Sequence, residues 1–322
     1  MEELYEPCLT CTNGGKVNGE AHLCEGVITI FEGIFPPHVT PFDERREVDE
    51  QALRELVNFW IESGVHGLVT CASNGEGPYL SREERKKVIK VVLEEVGGRK
   101  PVIVGVSSPG TRGVVEQAKE AQELGADGIL LTPPFYYKPS DAELLEHYRY
   151  VLKGLDIPVI LYNVPKFVGY NVSIDVIRKV VEEFDNVVGI KDSSGLIWRI
   201  SELIRLVGDK ISVLAGTGDL ILPTLLLGGK GAIVGVAIFA PEMAVDLYNA
   251  YKSGNMERAR ELQLKLTLLN EVVIKKFNQL SATKEALKLR GKPGGLPRLP
   301  ALPLSEGGRE TIRQVLREVG LL

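Results

Sequence analysis

One lysine stands where chemistry would need it. Lys191 closes the run Val187-Val188-Gly189-Ile190-Lys191-Asp192, and across eight comparable apolar runs it is the sole lysine or arginine. Burial of an amine is costly and disfavours its charged form. The free amine is the form that attacks a ketone to make an imine. A lysine that snorkels to water, or pairs with neighbouring Asp192, would do no such chemistry. The residues ending the other runs decide between these readings. Leu161-Tyr162-Asn163-Val164-Pro165 places a phenol on the run before Lys191, Cys71-Ala72-Ser73-Asn74-Gly75-Glu76 supplies a hydroxyl at Ser73, and Thr132-Pro133-Pro134-Phe135-Tyr136-Tyr137 supplies Tyr136. Imine formation moves protons at carbinolamine dehydration and again at a carbon–carbon step, and linked hydroxyls can carry them. Singly, Tyr162 reads as packing, Ser73 as a helix cap and Tyr136 as a surface aromatic. Together around one lysine they point to an imine-forming site.

The elements that must hold these residues repeat in one rhythm. Short runs rich in Val, Ile and Leu begin at Gly33, His66, Pro101, Asp127, Pro158, Val187, Ile211 and Gly231. Apolar strands without polar alternation are what a parallel sheet covered on both faces requires. Between them lie amphipathic helices: Leu53, Leu56, Val57, Trp60 and Ile61 share one face after a capping Asp49, and Ser81 with Glu84 has capping-box spacing. Eight such units predict a (β/α)8 TIM barrel with a C-terminal helical appendage, its chemistry at the C-terminal ends of the strands. The expected divisions are a flexible extension over residues 1–26, the barrel over 27–240, and a last barrel helix plus helical region over 241–322. The proline-rich GKPGGLPRLPALPLSE reads as a spacer between two helices, and Gly228-Gly229-Lys230-Gly231 as a turn on the far face.

Composition excludes other classes. The 322 residues are 44% hydrophobic and 25% charged with net charge −5, and contain no basic run, so neither nucleic acid nor an anionic membrane is an expected partner. No apolar stretch approaches the roughly 18 residues of a membrane helix. The acidic start, Met1 to Pro7, lacks the apolar core of a secretory signal, and a cytoplasmic enzyme is expected. Cys8, Cys11, His22 and Cys24 have zinc-compatible spacing, but their polar, aperiodic surroundings read as a loose tail, and no metal site is expected.

The motifs VTPF (Val39 to Phe42), SNGE (Ser73 to Glu76), LYNVP (Leu161 to Pro165), GIKDSSG (Gly189 to Gly195) and LAGTGD (Leu214 to Asp219) occur in order at barrel spacing. From about Phe31 to Leu322 the chain resembles the dihydrodipicolinate synthase and N-acetylneuraminate lyase family of pyruvate-dependent class I aldolases. The resemblance implies that Lys191 forms the imine and Tyr162 donates and accepts protons. It implies that Ser73 and Tyr136 complete the relay, with Tyr136 reaching a neighbouring subunit's site. Ser73, Asn74 and Gly75 would hold the pyruvate carboxylate through hydroxyl and backbone N–H groups. Ile233 would line the pyruvate pocket and Gly216 would leave room after strand seven. No cofactor is implied beyond the covalent imine, and a homo-oligomer, a dimer or a dimer of dimers, is implied.

Two departures bear on the substrates, a 2-oxo acid and an aldehyde. Where the synthase that joins pyruvate to aspartate semialdehyde has an arginine after YNVP, this chain has Phe167, which cannot grip a carboxylate. Lys166 is adjacent but is expected to point elsewhere. KDSSG and SNGE resemble the aldolases for 4-hydroxy-2-oxoglutarate and 2-keto-3-deoxy sugar acids, and Ser193 and Ser194 would either contact substrate hydroxyls or cap the helix near Leu196. The sequence therefore favours a lyase that cleaves a hydroxylated 2-oxo acid, with the dihydrodipicolinate synthase reaction as the alternative. A barrel that only binds sugar acids would not need the whole relay.

Overall fold

The computed structural model describes residues 31–322, so the cysteine and histidine cluster of the first 26 residues lies outside the described part. Eight parallel strands form one sheet: β1 (Gly33–Ile34), β2 (Leu68–Thr70), β3 (Val102–Val106), β4 (Gly128–Leu131), β5 (Val159–Asn163), β6 (Val187–Asp192), β7 (Ser212–Ala215) and β8 (Gly231–Ala232). Their lateral order is β1-β8-β7-β6-β5-β4-β3-β2, and a parallel bridge between Pro37 and Val69 brings the two ends together. The TIM barrel expected from the rhythm of the sequence is the fold.

The ends of the strand list differ from expectation. The first run was read as a strand from Gly33 to Thr40, but the ladder stops at Ile34 because Pro36 and Pro37 have no N–H to donate. Their carbonyls remain useful: Pro36 O accepts from Val69 N at 3.1 Å, and His38 N donates to Val69 O at 3.1 Å. The eighth run is likewise shorter than read, because Val236–Phe239 turns into a helix.

Outside β6, side chains alternate about the sheet. Val69, Ile103, Leu130, Ile160, Tyr162, Leu214 and Ile233 fill the barrel with Phe31 and Phe35, whereas their strand neighbours Leu68, Val104, Leu131, Leu161, Val213 and Ala215 face the helix layer. The caps expected from sequence form: Asp49 accepts from Ala52 N at 3.0 Å, and Ser81 with Glu84 closes a reciprocal capping box. Beyond β8 the helical region begins as two helices parted at Gly254, Pro241–Lys252 and Met256–Leu269, followed by a π-helical segment, Asn270–Lys275. Helices Gln279–Leu289 and Glu306–Glu318 complete the chain. Among the described residues no helix is long and apolar enough to cross a membrane.

Candidate active site at the C-terminal face of the barrel

Strand β6 would point Lys191 the wrong way if it were regular. Val187 and Ile190 both face the helices although three residues apart, because the pairing with β5 steps from Val159–Val187 to Ile160–Gly189 and leaves Val188 as an extra residue. This bulge shifts the alternation by one position. Gly189 then lies beside Ile160, and Lys191 pairs laterally with Tyr162 on the inner face. Lys191 is only 3% exposed, and its Nζ sits 4.1 Å from the centroid of the Tyr162 ring.

The same shift turns Asp192 outward. Its carboxylate accepts from Arg199 Nε at 2.8 Å, Asn163 Nδ2 at 2.8 Å and Ser194 N at 2.9 Å. Asp192 and Arg199 are both buried behind the sheet, so the local pairing that would have made Lys191 structural does not occur. Among the described residues no ion pair engages Lys191.

The loop after β2 is tightly wound. Cys71 (φ 52°) and Glu76 (φ 55°) adopt left-handed backbone, and a Cβ on Gly77 would lie 1.9 Å from Cys71 O, so only glycine fits there. A Cβ on Gly75 would press on His38 O at 3.0 Å. Thr40 Oγ1 donates to Gly75 O at 2.7 Å and Glu76 N to Ser73 O at 3.2 Å. The N–H groups of Ser73, Asn74 and Gly75 make no hydrogen bond among the described residues, and three such donors in sequence suit a carboxylate. Asn74 is buried, and its Oδ1 accepts from Gln279 Nε2 at 2.9 Å.

Above the strand ends opens a cavity of about 460 Å³ lined by Ser73, Gly105, Ser107, Thr132, Phe135 and Val164, by Lys166 and Phe167, and by Phe277 and Gln279 from the C-terminal region. Its floor meets the barrel filling at Ala72 and Val164, which pack in the same cluster as Tyr162 and Ile233. The C-terminal helices, expected as an appendage, thus form one wall of the site. They are fixed there by Lys284, whose Nζ donates to Glu76 Oε1 and, at 2.7 Å, to Leu296 O. Burial pushes the Lys284 ammonium down to about 8, against the pull of Glu76.

Tyr136, expected to reach a neighbouring subunit's site, is 85% exposed with its ring edge-on to Tyr137. Gly216 and Lys166 are placed otherwise than the sequence suggested. The space that Gly216 leaves is taken by its own neighbours, since a Cβ there would lie 2.0 Å from Ser193 Oγ and 2.6 Å from Asp192 O. Ser193 donates to Gly216 O at 3.2 Å, and Ser194 accepts from Leu196 N at 3.2 Å, so both hydroxyls shape the turn before the helix Ile197–Val207. Lys166, expected to point away, lines the cavity: Nζ donates to Gln279 Oε1 at 2.6 Å. Desolvation lowers its pKa, and the Tyr162 phenol opposes that shift. Gln279 was not singled out from sequence, because nothing in its local pattern marks a residue that reaches the site from another part of the chain.

Known proteins place this geometry in a family. The family model described as the dihydrodipicolinate synthetase family matches residues 30–319. A 4-hydroxy-tetrahydrodipicolinate synthase of Methanopyrus kandleri is 38% identical over 292 residues, 90% of this chain and 97% of that protein. The crystal structure of dihydrodipicolinate synthase from Thermotoga maritima superposes with a TM-score of 0.87 at 35% identity, covering 91% of this chain and 100% of that one. YagE of E. coli K12, a prophage protein of the same family crystallised with pyruvate, gives 0.87 at 31% identity, covering 91% and 99%. The chain belongs to the dihydrodipicolinate synthetase family of carbon–carbon lyases.

Proposed function

We propose that the chain joins pyruvate to a carboxylate-bearing aldehyde through an imine on Lys191, as its relatives' name of 4-hydroxy-tetrahydrodipicolinate synthase suggests. The observation that carries this reading is the buried Lys191 amine, which no carboxylate of the described residues pairs and which lies against Tyr162 inside the barrel. The pyruvate carboxylate takes the N–H groups of Ser73, Asn74 and Gly75. Lys191 Nζ adds to the ketone carbon, the carbinolamine loses water to give a protonated imine, and loss of a methyl proton to the hydroxyl relay leaves the neutral enamine. The enamine carbon attacks the aldehyde carbon, and the new alkoxide takes up a proton. The Tyr162 phenol is the proton carrier nearest these steps. No cofactor is needed, because the protonated imine holds the electron pair released from carbon.

A second reading is favoured by one observation. Phe167 occupies the place of the synthases' carboxylate-gripping arginine, which suits cleavage of a hydroxylated 2-oxo acid instead. Borohydride reduction in the presence of pyruvate tests the common chemistry. One reduced pyruvate should appear on the peptide carrying Lys191, and an adduct on Lys166 or none at all would overturn the assignment. Condensation with aspartate semialdehyde should then outpace cleavage of 4-hydroxy-2-oxoglutarate, and the reverse ranking would establish the second reading.

The same reading includes a homo-oligomer. Tyr136 holds a φ of 80° with its ring in solvent, an unfavourable backbone for a bulky residue and one that needs outside support. Sedimentation should show a dimer or larger assembly, and Tyr136→Ala with Tyr137→Ala should shift it toward monomer. An unchanged assembly would remove these tyrosines from the interface.

A further inference from the structure

The cavity above the strand ends has two charged side chains in its lining, Glu76 and Lys166. Glu76 is fully engaged, accepting from Lys284 on one oxygen and from Arg298 N at 2.8 Å on the other. Lys166 is not. Its ammonium has three donors, of which one goes to Gln279 Oε1 at 2.6 Å, a second reaches Ile274 O at the long distance of 3.5 Å, and the third is free among the described residues. The surrounding wall is largely apolar: Phe135, Val164, Phe167, Val168, Phe277 and Leu280. Lys166 is exposed at the mouth of this cavity, and the apolar wall beside it leaves its charge less screened toward an anion entering the cavity than it would be in bulk water.

We infer that Lys166 reads the carboxylate of the acceptor aldehyde, in place of the arginine that Phe167 displaces. The inference rests on the proposed condensation, of which it names the specificity-determining residue. The cavity, about 460 Å³, has room for a short acidic aldehyde, with Ser73 of the pyruvate-binding loop and Lys166 both in its lining. Lys166 is also wired to the pyruvate side. Gln279 accepts from Lys166 and donates to Asn74 at 2.9 Å, so one side chain positions both the acceptor's cation and the loop that takes pyruvate. A lysine offers a point charge without the fixed fork of a guanidinium. It therefore accepts carboxylates over a wider range of chain lengths than an arginine would.

The experiment compares kcat/KM for two aldehydes of equal length, aspartate semialdehyde and butanal, in the full chain and in Lys166→Gln and Lys166→Arg. Borohydride trapping of pyruvate on Lys191 is measured in each. Lys166→Gln should lower the preference for the charged aldehyde by about 10- to 100-fold, as loss of a charged hydrogen bond does. Most of that loss should appear in KM for the charged aldehyde, with Lys166→Arg restoring part of the preference and trapping intact in both variants. Equal losses on the two aldehydes with trapping intact would overturn the role of Lys166 alone. No loss on either would do the same. Absence of trapping in the parent chain would overturn the condensation reading, and the inference with it.

Discussion

Replacing Lys191 by arginine should abolish borohydride trapping of pyruvate and lower turnover by at least about 10⁴-fold. Arginine preserves the positive charge and most of the length, but a guanidinium stays protonated and forms no imine under these conditions. The substitution thus separates a nucleophile from a cation that merely attracts the 2-oxo acid, since a binding role would survive it. Turnover retained within tenfold would sink the assignment. A companion change sharpens the result. Tyr162→Phe keeps the ring against which Nζ rests, 4.1 Å from its centroid, and removes only the hydroxyl. It should cost about 10²- to 10⁴-fold in turnover while the reduced adduct still forms on Lys191, more slowly. Lys191→Met carries the complementary expectation for stability. The amine has no ion pair to lose among the described residues, so melting should stay level or rise, as is common where a group is retained for chemistry rather than packing.

How far this site could be read from sequence differs from residue to residue. The apolar runs and their helices dictate the barrel, because a strand buried on both faces must be apolar at every position. They also make Lys191 conspicuous as the cation among them. Its direction is another matter. It depends on Val188 being an extra residue in β6, and a bulge leaves no mark in a run of Val, Val, Gly and Ile. Regular alternation would have sent Lys191 to the helix layer and Asp192 inward. The short first strand runs against the longer one expected, although two consecutive prolines cannot extend a ladder. Lys166 was misjudged for a physical reason: the helical turn Pro165–Val168 lets neighbouring side chains both line one cavity, which an extended loop would forbid. Gln279 and Lys284 were invisible because their roles arise from contacts across some two hundred residues. Periodicity reports only on neighbours along the chain.

The second buried lysine should behave in the opposite way to the first. Lys284 is 1% exposed and Glu76, next in the chain after Ser73, Asn74 and Gly75, is likewise buried. Lys284→Met leaves the Glu76 carboxylate in the interior without its cation, and should destabilise the fold by about 3–5 kcal/mol. The double change Glu76→Gln with Lys284→Met should recover more than half of that, because no unpaired charge then remains. A single variant that melts with the parent would show that the pair contributes nothing. A pH signature follows from the same burial. The folded chain releases the Lys284 proton near 8, whereas the ordinary value is 10.5. Between these values the unfolded state binds more protons, so this group makes stability rise with pH across that window and withdraws the gain as pH falls through about 8. The gap in melting temperature between the parent and Lys284→Met should accordingly widen from pH 8 toward 10.5. A gap that narrowed there would mean that the pair, and not its desolvation, governs the proton. Activity should fall in the same single variant, since Glu76 belongs to the loop whose N–H groups at Ser73, Asn74 and Gly75, free among the described residues, are proposed to take the pyruvate carboxylate.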